Sequence, residues 1–433
     1  MDIIPIETLR AILEIAIEKG RMTYAELWLD AAPLIKYRKQ QALIRKLGSV
    51  CNRWRSICLE LLFEHVWIAP PLESNTLAFR QIFNTDPFLK HSRNPLGWWT
   101  RRLYLDIRFL DPPERKALID HFQINGPFPN VDHLFIFNCG RSGNEENGEL
   151  ILDVYAKYLT SLTLEGSEDT LHRMITRTAL GISQLQELAL EFSDDSIPSH
   201  DVRDALVLPC VHTLHIHNVT EWEIDGLLYW SFPSMRTLTI YTMFLSAEKL
   251  GVFMRMHGPT LTSLSIQYWP FEESFHEVLF GACRALERLE VLNGPHNGFL
   301  GRVSVEYPPI MGEHGLREWI FHPFWVDCNL NTFQDSTMDP KFLPSLHKIR
   351  ILSPEMDNMF SIPLKQVQSL RDWSRALKIR GVLLVDGKDG TFIFLSTTCI
   401  GGDSDQCSSS LLRMRTETLQ IPEIVYHLYD IPM

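Results

Sequence analysis

The residues best suited to chemistry are three histidines, His212, His215 and His217, in the segment VHTLHIHN. On a strand, alternate residues share a face, so His215 and His217 point the same way. Two imidazoles so placed could hold a metal ion, but no cysteine or carboxylate is expected near them from the sequence to complete a ligand set. They read as polar residues flanking a buried Leu214 and Ile216. A second candidate, Gly387-Lys388-Asp389-Gly390, has the look of a phosphate loop but lacks its spacing and its following Ser or Thr. It lies between GVLLV and TFIFL and is expected to be a hairpin turn. The chain has 8 cysteines and no C-x-x-C pair, which points to reduced thiols used as small apolar residues. No G-x-S-x-G, H-E-x-x-H, Walker or G-x-G-x-x-G pattern occurs. The chain is therefore expected to be no enzyme, with no catalytic residue, cofactor or metal.

Composition narrows the partners. The 433 residues carry 53 acidic and 41 basic side chains, a formal charge of -12, which argues against a nucleic-acid binder. The start, MDIIPIETLR, has Asp2 and Glu7 within its apolar stretch and lacks the pattern of a secretory leader. No apolar run approaches the ~18 residues of a membrane span. One basic run stands out, Lys36, Arg38, Lys39, Arg45 and Lys46. It reads as a solvated helix face, a contact for an acidic adaptor, or a nuclear import signal.

What must position any binding residue is a repeat. The pattern apolar-x-x-apolar-x-apolar returns from Val131-Leu134-Ile136, through Leu159-Leu162-Leu164, Leu185-Leu188-Leu190 and Val211-Leu214-Ile216, to Met235-Leu238-Ile240. It continues with Leu261-Leu264-Ile266, Leu286-Leu289-Val291, Leu316-Trp319-Phe321 and Leu346-Ile349-Ile351, and RRLYLDI is an earlier, weaker copy. The step is about 25 to 30 residues, within the range of stacked repeats. One such strand cannot bury its apolar side alone. Equivalent strands side by side form a parallel sheet with a continuous core. The intervening segments 246–258 and 273–285 suit outer helices.

The register also fixes which residues line the sheet face opposite the core. These are Phe135 and Phe137, then Glu165, then Glu187 and Glu191, then His215 and His217. Tyr241, Gln267, Arg288 with Glu290, His322, and Lys348 with Arg350 follow. Acidic residues gather early, histidines in the middle and basic residues late, so a target with the complementary gradient would fit.

Ahead of the repeats, residues 3–68 carry helical periodicity. IIPIETLRAILEIAIEKG places Leu9, Ile12, Leu13 and Ala16 at helical spacing behind Pro5. A further helix is expected at TYAELWLD. In RKLGSVCNRWRSICLELLFEHVWIA, the residues Leu47, Val50, Cys51, Trp54, Ile57, Cys58, Leu61 and Leu62 form an apolar stripe. After the repeats, 364–379 reads as a helix, 381–395 as a hairpin that closes the sheet edge, and 401–410 as flexible by composition.

Two family resemblances follow from these residues. The repeats of about 98–355 resemble degenerate leucine-rich repeats, in which only Cys139 clearly meets the family's Asn or Cys after the strand. The first 70 residues resemble an F-box. Ile4-Pro5-Ile6-Glu7 matches its opening; Leu9, Ile12 and Leu13 match its first helix. Leu47, Val50, Cys51, Trp54 and Arg55 match its Leu-x-x-Val-Cys-x-x-Trp-Arg segment. The segment 17–43 is longer than the family's. This combination resembles F-box proteins abundant in mushroom-forming fungi.

The implied fold is α/β. An F-box helical bundle (1–70) and an entry segment (71–97) lead into an irregular leucine-rich-repeat solenoid (98–355) with a C-terminal cap (356–433). The implied function is a substrate-recognition adaptor of an SCF-type cullin–RING ubiquitin ligase. Such a protein docks a Skp-type adaptor through the F-box residues and holds a target protein on the solenoid, with no nucleic acid and no membrane, in the cytoplasm or nucleus. The alternative is a ligase-independent scaffold.

Overall fold

The computed structural model describes residues 4–18, 33–68, 96–106, 128–137, 145–193, 205–242, 245–268, 273–293, 315–321, 344–351, 364–386, 391–394 and 411–414. The chain falls into two compact units, Met1–Asn218 with Tyr229–Phe232, and Val219–Leu228 with Pro233–Met433.

The first unit opens with helices α1 (Ile6–Glu18), α2 (Pro33–Gly48) and α3 (Asn52–Glu64). Pro5 stands just ahead of α1, where its lack of an N–H costs nothing, and its carbonyl accepts from the Leu9 N–H at 3.0 Å. Leu9, Leu13 and Ile17 recur every four residues and turn one face of α1 onto Ile44, Ile57, Cys58 and Leu61. Burying such a side chain is worth roughly 1.5–3 kcal/mol, so these seven residues account for the bundle. Gly48 ends α2 where a Cβ would come within 3.2 Å of the Cys58 Cβ, so the chain needs a small residue to turn back along α3. The segment TYAELWLD lies outside the described residues.

Helix α3 passes directly into β1 (His65–Ile68). β1 is the first of six parallel strands in this unit, followed by β2 (Arg102–Asp106), β3 (His133–Phe137), β4 (Ser161–Gly166), β5 (Glu187–Phe192) and β7 (Thr213–His217). The register is the one the repeat demands. Val66, Leu103, Leu134, Leu162, Leu188 and Leu214 are successive cross-strand partners, and the five leucines are 0% exposed. A second column runs Ile68, Leu105, Ile136, Leu164, Leu190 and Ile216. Helices α4 (Glu145–Tyr155) and α5 (Glu168–Thr178) fill two of the returns. A two-residue pair, β6 (Leu206–Val207) with β8 (Trp230–Ser231), is a small parallel sheet of its own.

The second unit repeats the plan. β9 (Thr237–Tyr241), β10 (Ser263–Tyr268), β11 (Arg288–Asn293), β12 (Glu318–Phe321), β13 (Lys348–Ile351) and β14 (Leu383–Asp386) are parallel neighbours in that order. Their anchor column is Leu238, Leu264, Leu289, Trp319, Ile349 and Leu384. Helices α6 (Glu221–Leu227), α7 (Ala247–His257) and α8 (Glu273–Ala282) occupy returns, and α9 (Leu364–Ile379) precedes β14. Thr220 and Glu223 close a capping box on α6, and Ser246 caps α7 through the Lys249 N–H. β14 then pairs antiparallel with β15 (Thr391–Phe394), and β15 with β16 (Leu411–Met414). The expected hairpin is thus half continuation, because its first strand adds to the parallel run. The turn 387–390 and the segment 401–410 lie outside the described residues.

Each repeat is also marked in the backbone. Just before a strand begins, one carbonyl accepts two successive N–H groups from the next repeat. Arg101 O takes Asp132 and His133, Asp132 O takes Thr160 and Ser161, Thr160 O takes Gln186 and Glu187, and Gln186 O takes His212 and Thr213, all at 2.8–3.1 Å. The second unit does the same from Arg236, Thr262, Glu287 and Arg317. An α/β architecture with long in-register parallel runs follows, compatible with a solenoid-like progression within each unit.

Candidate functional site

Two surfaces carry the residues singled out in the sequence. The first is the helical module. With Leu9 and Leu13 buried, they hold the bundle together and cannot touch a partner. Leu47 and Trp54 pack against the same core from its margin. The stripe that joined Leu47 to Leu62 is not one helix face, because α2 ends at Gly48 and α3 starts at Asn52. Val50 and Cys51 fall in the corner between them and are exposed, Val50 at 62%. Pro5, Glu7 and Arg55 are exposed too. Ile4, Ile6, Ile12 and Ile15 are 47–61% exposed. Helix α1 is therefore apolar on both sides: one side closes the core, and Ile12 and Ile15 stand outside it. Arg53 donates to the Ile4 carbonyl and Arg10 pairs with Glu60, which tie the start of α1 to α3.

The second surface is the sheet face opposite the anchor columns. In the first unit its middle row runs Trp67, Tyr104, Phe135, Thr163, Ala189 and His215. Tyr104, Phe135, Thr163 and Ala189 are at most 5% exposed. Phe135 and Phe137, expected to meet a target, are instead packed in an aromatic cluster. Tyr104 stacks on Phe135 at 4.3 Å, Trp67 stacks on Tyr104 at 5.1 Å and on Phe137 at 6.0 Å, and Tyr37 of α2 leans on Trp67 at 5.8 Å. Offset and tilted rings at these separations attract beyond their buried area. The Tyr37 hydroxyl accepts from the Trp67 backbone N–H at 3.4 Å and donates to the His65 carbonyl at 3.2 Å. A phenol thus occupies the place of a neighbouring strand beside β1 and covers an edge that would otherwise invite pairing. Burial pushes the Tyr37 hydroxyl up to about 12, so it stays protonated and can donate. Sequence reading missed this cluster. Its signal was present in RLYLD and HLFIF, where both alternating positions are apolar, as in strands covered on both faces.

The rest of that face is polar. His215 Nε2 lies 3.4 Å from Glu187 Oε1. The hydrogen-bonding imidazole holds the Glu187 carboxyl below the usual carboxylate range, with Ser161 adding to the effect. Glu165, Glu191 and His217 form the next row, and Asn218 donates to Glu191 at 3.0 Å. His217 is 4% exposed, and burial drives its imidazole down to about 3, so it is neutral. His215 and His217 do share a face, and His212 is exposed ahead of the strand. Among the described residues no group of three or more His, Cys, Asp or Glu side chains is placed to hold a metal ion. Cys51, Cys58, Cys210 and Cys283 are free thiols.

In the second unit Tyr241 is 8% exposed and buried rather than open, while Gln267 is half-buried. Glu318 sits amid three cations, Arg350 at 3.0 Å, Lys348 at 3.2 Å and Arg288 at 3.7 Å. Glu290 takes Ser265 Oγ at 2.9 Å and Arg288 at 3.3 Å. The late basic residues are thus a cross-strand charge network, not isolated cations. His322 and Cys139 lie outside the described residues. Among the described residues no helix is long and apolar enough to cross a membrane. No protein-family model and no curated protein matches the chain.

Proposed function

We propose that the chain is a substrate-recognition adaptor of an SCF-type cullin–RING ubiquitin ligase. Its helical module is an F-box that docks a Skp-type adaptor, and its repeats are leucine-rich repeats whose open sheet face holds a target protein. The chain itself makes and breaks no bond. The observation that carries this reading is the set of isoleucines left outside a finished core. The bundle is closed by Leu9, Leu13, Ile17, Ile44, Ile57, Cys58 and Leu61, yet Ile4, Ile6, Ile12, Ile15 and Val50 remain exposed. Several large apolar side chains left in solvent outside a closed core are what a protein interaction site requires. The residues left open for a target are Glu165, Glu187, Glu191, His215, Gln267, Arg288, Glu290, Lys348 and Arg350, all partly or fully exposed.

Co-expression of the full chain with a Skp-type adaptor tests the reading. The wild type is expected to co-purify with it. An Ile12→Asp/Val50→Asp variant loses two exposed anchors that docking would bury, worth up to roughly 1.5–3 kcal/mol each, and should bind at least tenfold more weakly, with unchanged thermal unfolding. Equal capture by both proteins, or no capture by the wild type, refutes it.

A further inference from the structure

We infer that the outward face of α2 is the electrostatic half of the docking surface and that the partner presents carboxylates to it; this rests on the docking reading above. Residues 33–64, which hold α2 and α3, contain seven basic residues and two acidic ones, a net of +5 in a chain of -12, leaving -17 elsewhere. The basic residues are not scattered. At 3.6 residues per turn, positions 38, 42 and 45 form one row along α2 and positions 39, 43 and 46 the next. Their occupants are Arg38, Ala42 and Arg45, then Lys39, Leu43 and Lys46, and all six are exposed. Leu43 sits amid the four cations at 40% exposure. The opposite side of the helix is spent on Gln40, Gln41 and Ile44, which are buried.

Some exposed cations elsewhere are neutralised internally. Arg10 has Glu60, Arg173 and Arg177 have Glu149, and Lys249 has Asp225. Others, such as Arg236 and Arg255, stand singly without a carboxylate among the described residues; what sets α2 apart is four cations on one face. Arg38, Lys39, Arg45, Lys46 and Arg55 meet no carboxylate among the described residues. Four like charges held on one helix face repel one another, so the arrangement costs stability until an opposite charge arrives. Arg53 reaches the Ile4 carbonyl, so positive charge borders the exposed isoleucines directly.

The partner chemistry follows from the combination. A phosphate surface, lipid or nucleic acid, would suit α2 alone, but Glu7 is exposed and Glu14 half-exposed on α1 beside Ile12 and Ile15. Phosphates would be repelled there. A folded protein with an apolar groove and acidic residues along one flank satisfies both helices. The face then acts mainly on encounter, because charge complementarity around an interface raises association rates by ~10–10³-fold and is screened by salt.

The test is association kinetics of the full chain with a purified Skp-type adaptor at 50 and 300 mM NaCl, for wild type and for Arg38→Glu/Lys39→Glu/Lys46→Glu. A milder Arg38→Gln/Lys39→Gln/Lys46→Gln variant guards against a folding defect. At 50 mM the charge-reversed chain should associate ~10–100-fold more slowly and the neutralised chain fall between, with dissociation rates within ~2-fold of wild type. The gap should narrow at 300 mM. Salt-independent wild-type association, or equal rates for all three chains, overturns this inference while leaving docking through Ile12 and Val50 intact. A wild type that captures no adaptor overturns both. Unaltered adaptor kinetics alongside charge-dependent capture on phosphatidylserine vesicles or a DNA duplex also overturns it, in favour of a phosphate surface.

Discussion

Replacing Tyr37 with Phe isolates the joint between the helical module and the sheet. The ring keeps its place against Trp67, 5.8 Å away, and only the hydroxyl is lost. That hydroxyl serves two backbone groups of β1, the His65 carbonyl at 3.2 Å and the Trp67 N–H at 3.4 Å. A buried group left without a partner costs about 1–3 kcal/mol, and both bonds are long, so we take the low end and expect about 1.5–2 kcal/mol in total. The effect belongs to the edge of the sheet and not to its middle. In hydrogen exchange read by mass spectrometry, the Trp67 amide should therefore exchange about tenfold faster in the variant. Peptides across β4 and β5, whose amides are paired on both sides, should be unchanged. The urea midpoint should fall by an amount matching the same energy. Unaltered exchange at Trp67 together with an unaltered midpoint would show that the phenol does not stand in for a strand.

Two further perturbations follow from groups packed without room or without charge. His217 is held neutral by burial, its imidazole driven to about 3. The unfolded chain binds that proton near pH 6.5 and the folded chain does not, so stability is full above pH 6.5 and falls as pH drops toward 3, by about 2 kcal/mol at pH 5. His257, driven to about 4 by burial, adds to the same slope, whereas the depressed carboxyl of Glu187 acts only below about pH 4.5. A His217→Gln chain should lose part of the difference between urea midpoints at pH 7 and pH 5; an identical difference in both chains would refute the buried neutral imidazole. At Gly258 an added Cβ would lie 2.6 Å from Cys283 Sγ and 3.2 Å from the Ala282 backbone. Gly258→Ala should cost about 1–3 kcal/mol by overpacking, and Cys283→Ala in the same chain should recover part of it. Additive losses in the double variant would contradict that contact.

The core columns were legible in the sequence because two independent constraints agree on them. The anchors Leu162, Leu188 and Leu214 recur at a near-constant step, and strand alternation gives them one common face. The helices α7 and α8 were legible from the same logic, since a return of that length between parallel strands needs an element to cross it. The face opposite the core was only half legible. Alternation identifies which residues lie there but not what covers them. Thr163 and Ala189 are small and fully covered, Phe135 is stacked on Tyr104, and Phe137 is stacked on Trp67, seventy residues earlier in the chain. In the helical module, periodicity likewise ran Leu47 to Leu62 together, because the corner at Gly48–Cys51 preserves the apolar spacing while breaking the helix.

That corner shows why the residues proposed for docking could not be sorted one by one from the sequence. A motif is a string, and a string does not distinguish a side chain that builds a helix bundle from one that the bundle displays. Leu9 and Leu13 lie one helical turn apart and both face inward; Ile12, one residue from Leu13, faces out. The 100° between neighbouring residues decides the assignment, and its direction depends on where α2 and α3 lie. The same geometry separates Ile44, which closes the core, from Leu43 and Arg45 on either side of it. The division between scaffold and surface is thus set by packing among three helices, so substitutions meant to probe docking must be drawn from Ile12, Ile15, Val50 and the α2 cations. Trp54, although part of the recognised string, packs against the core, and replacing it would unsettle the bundle before it informed on any partner.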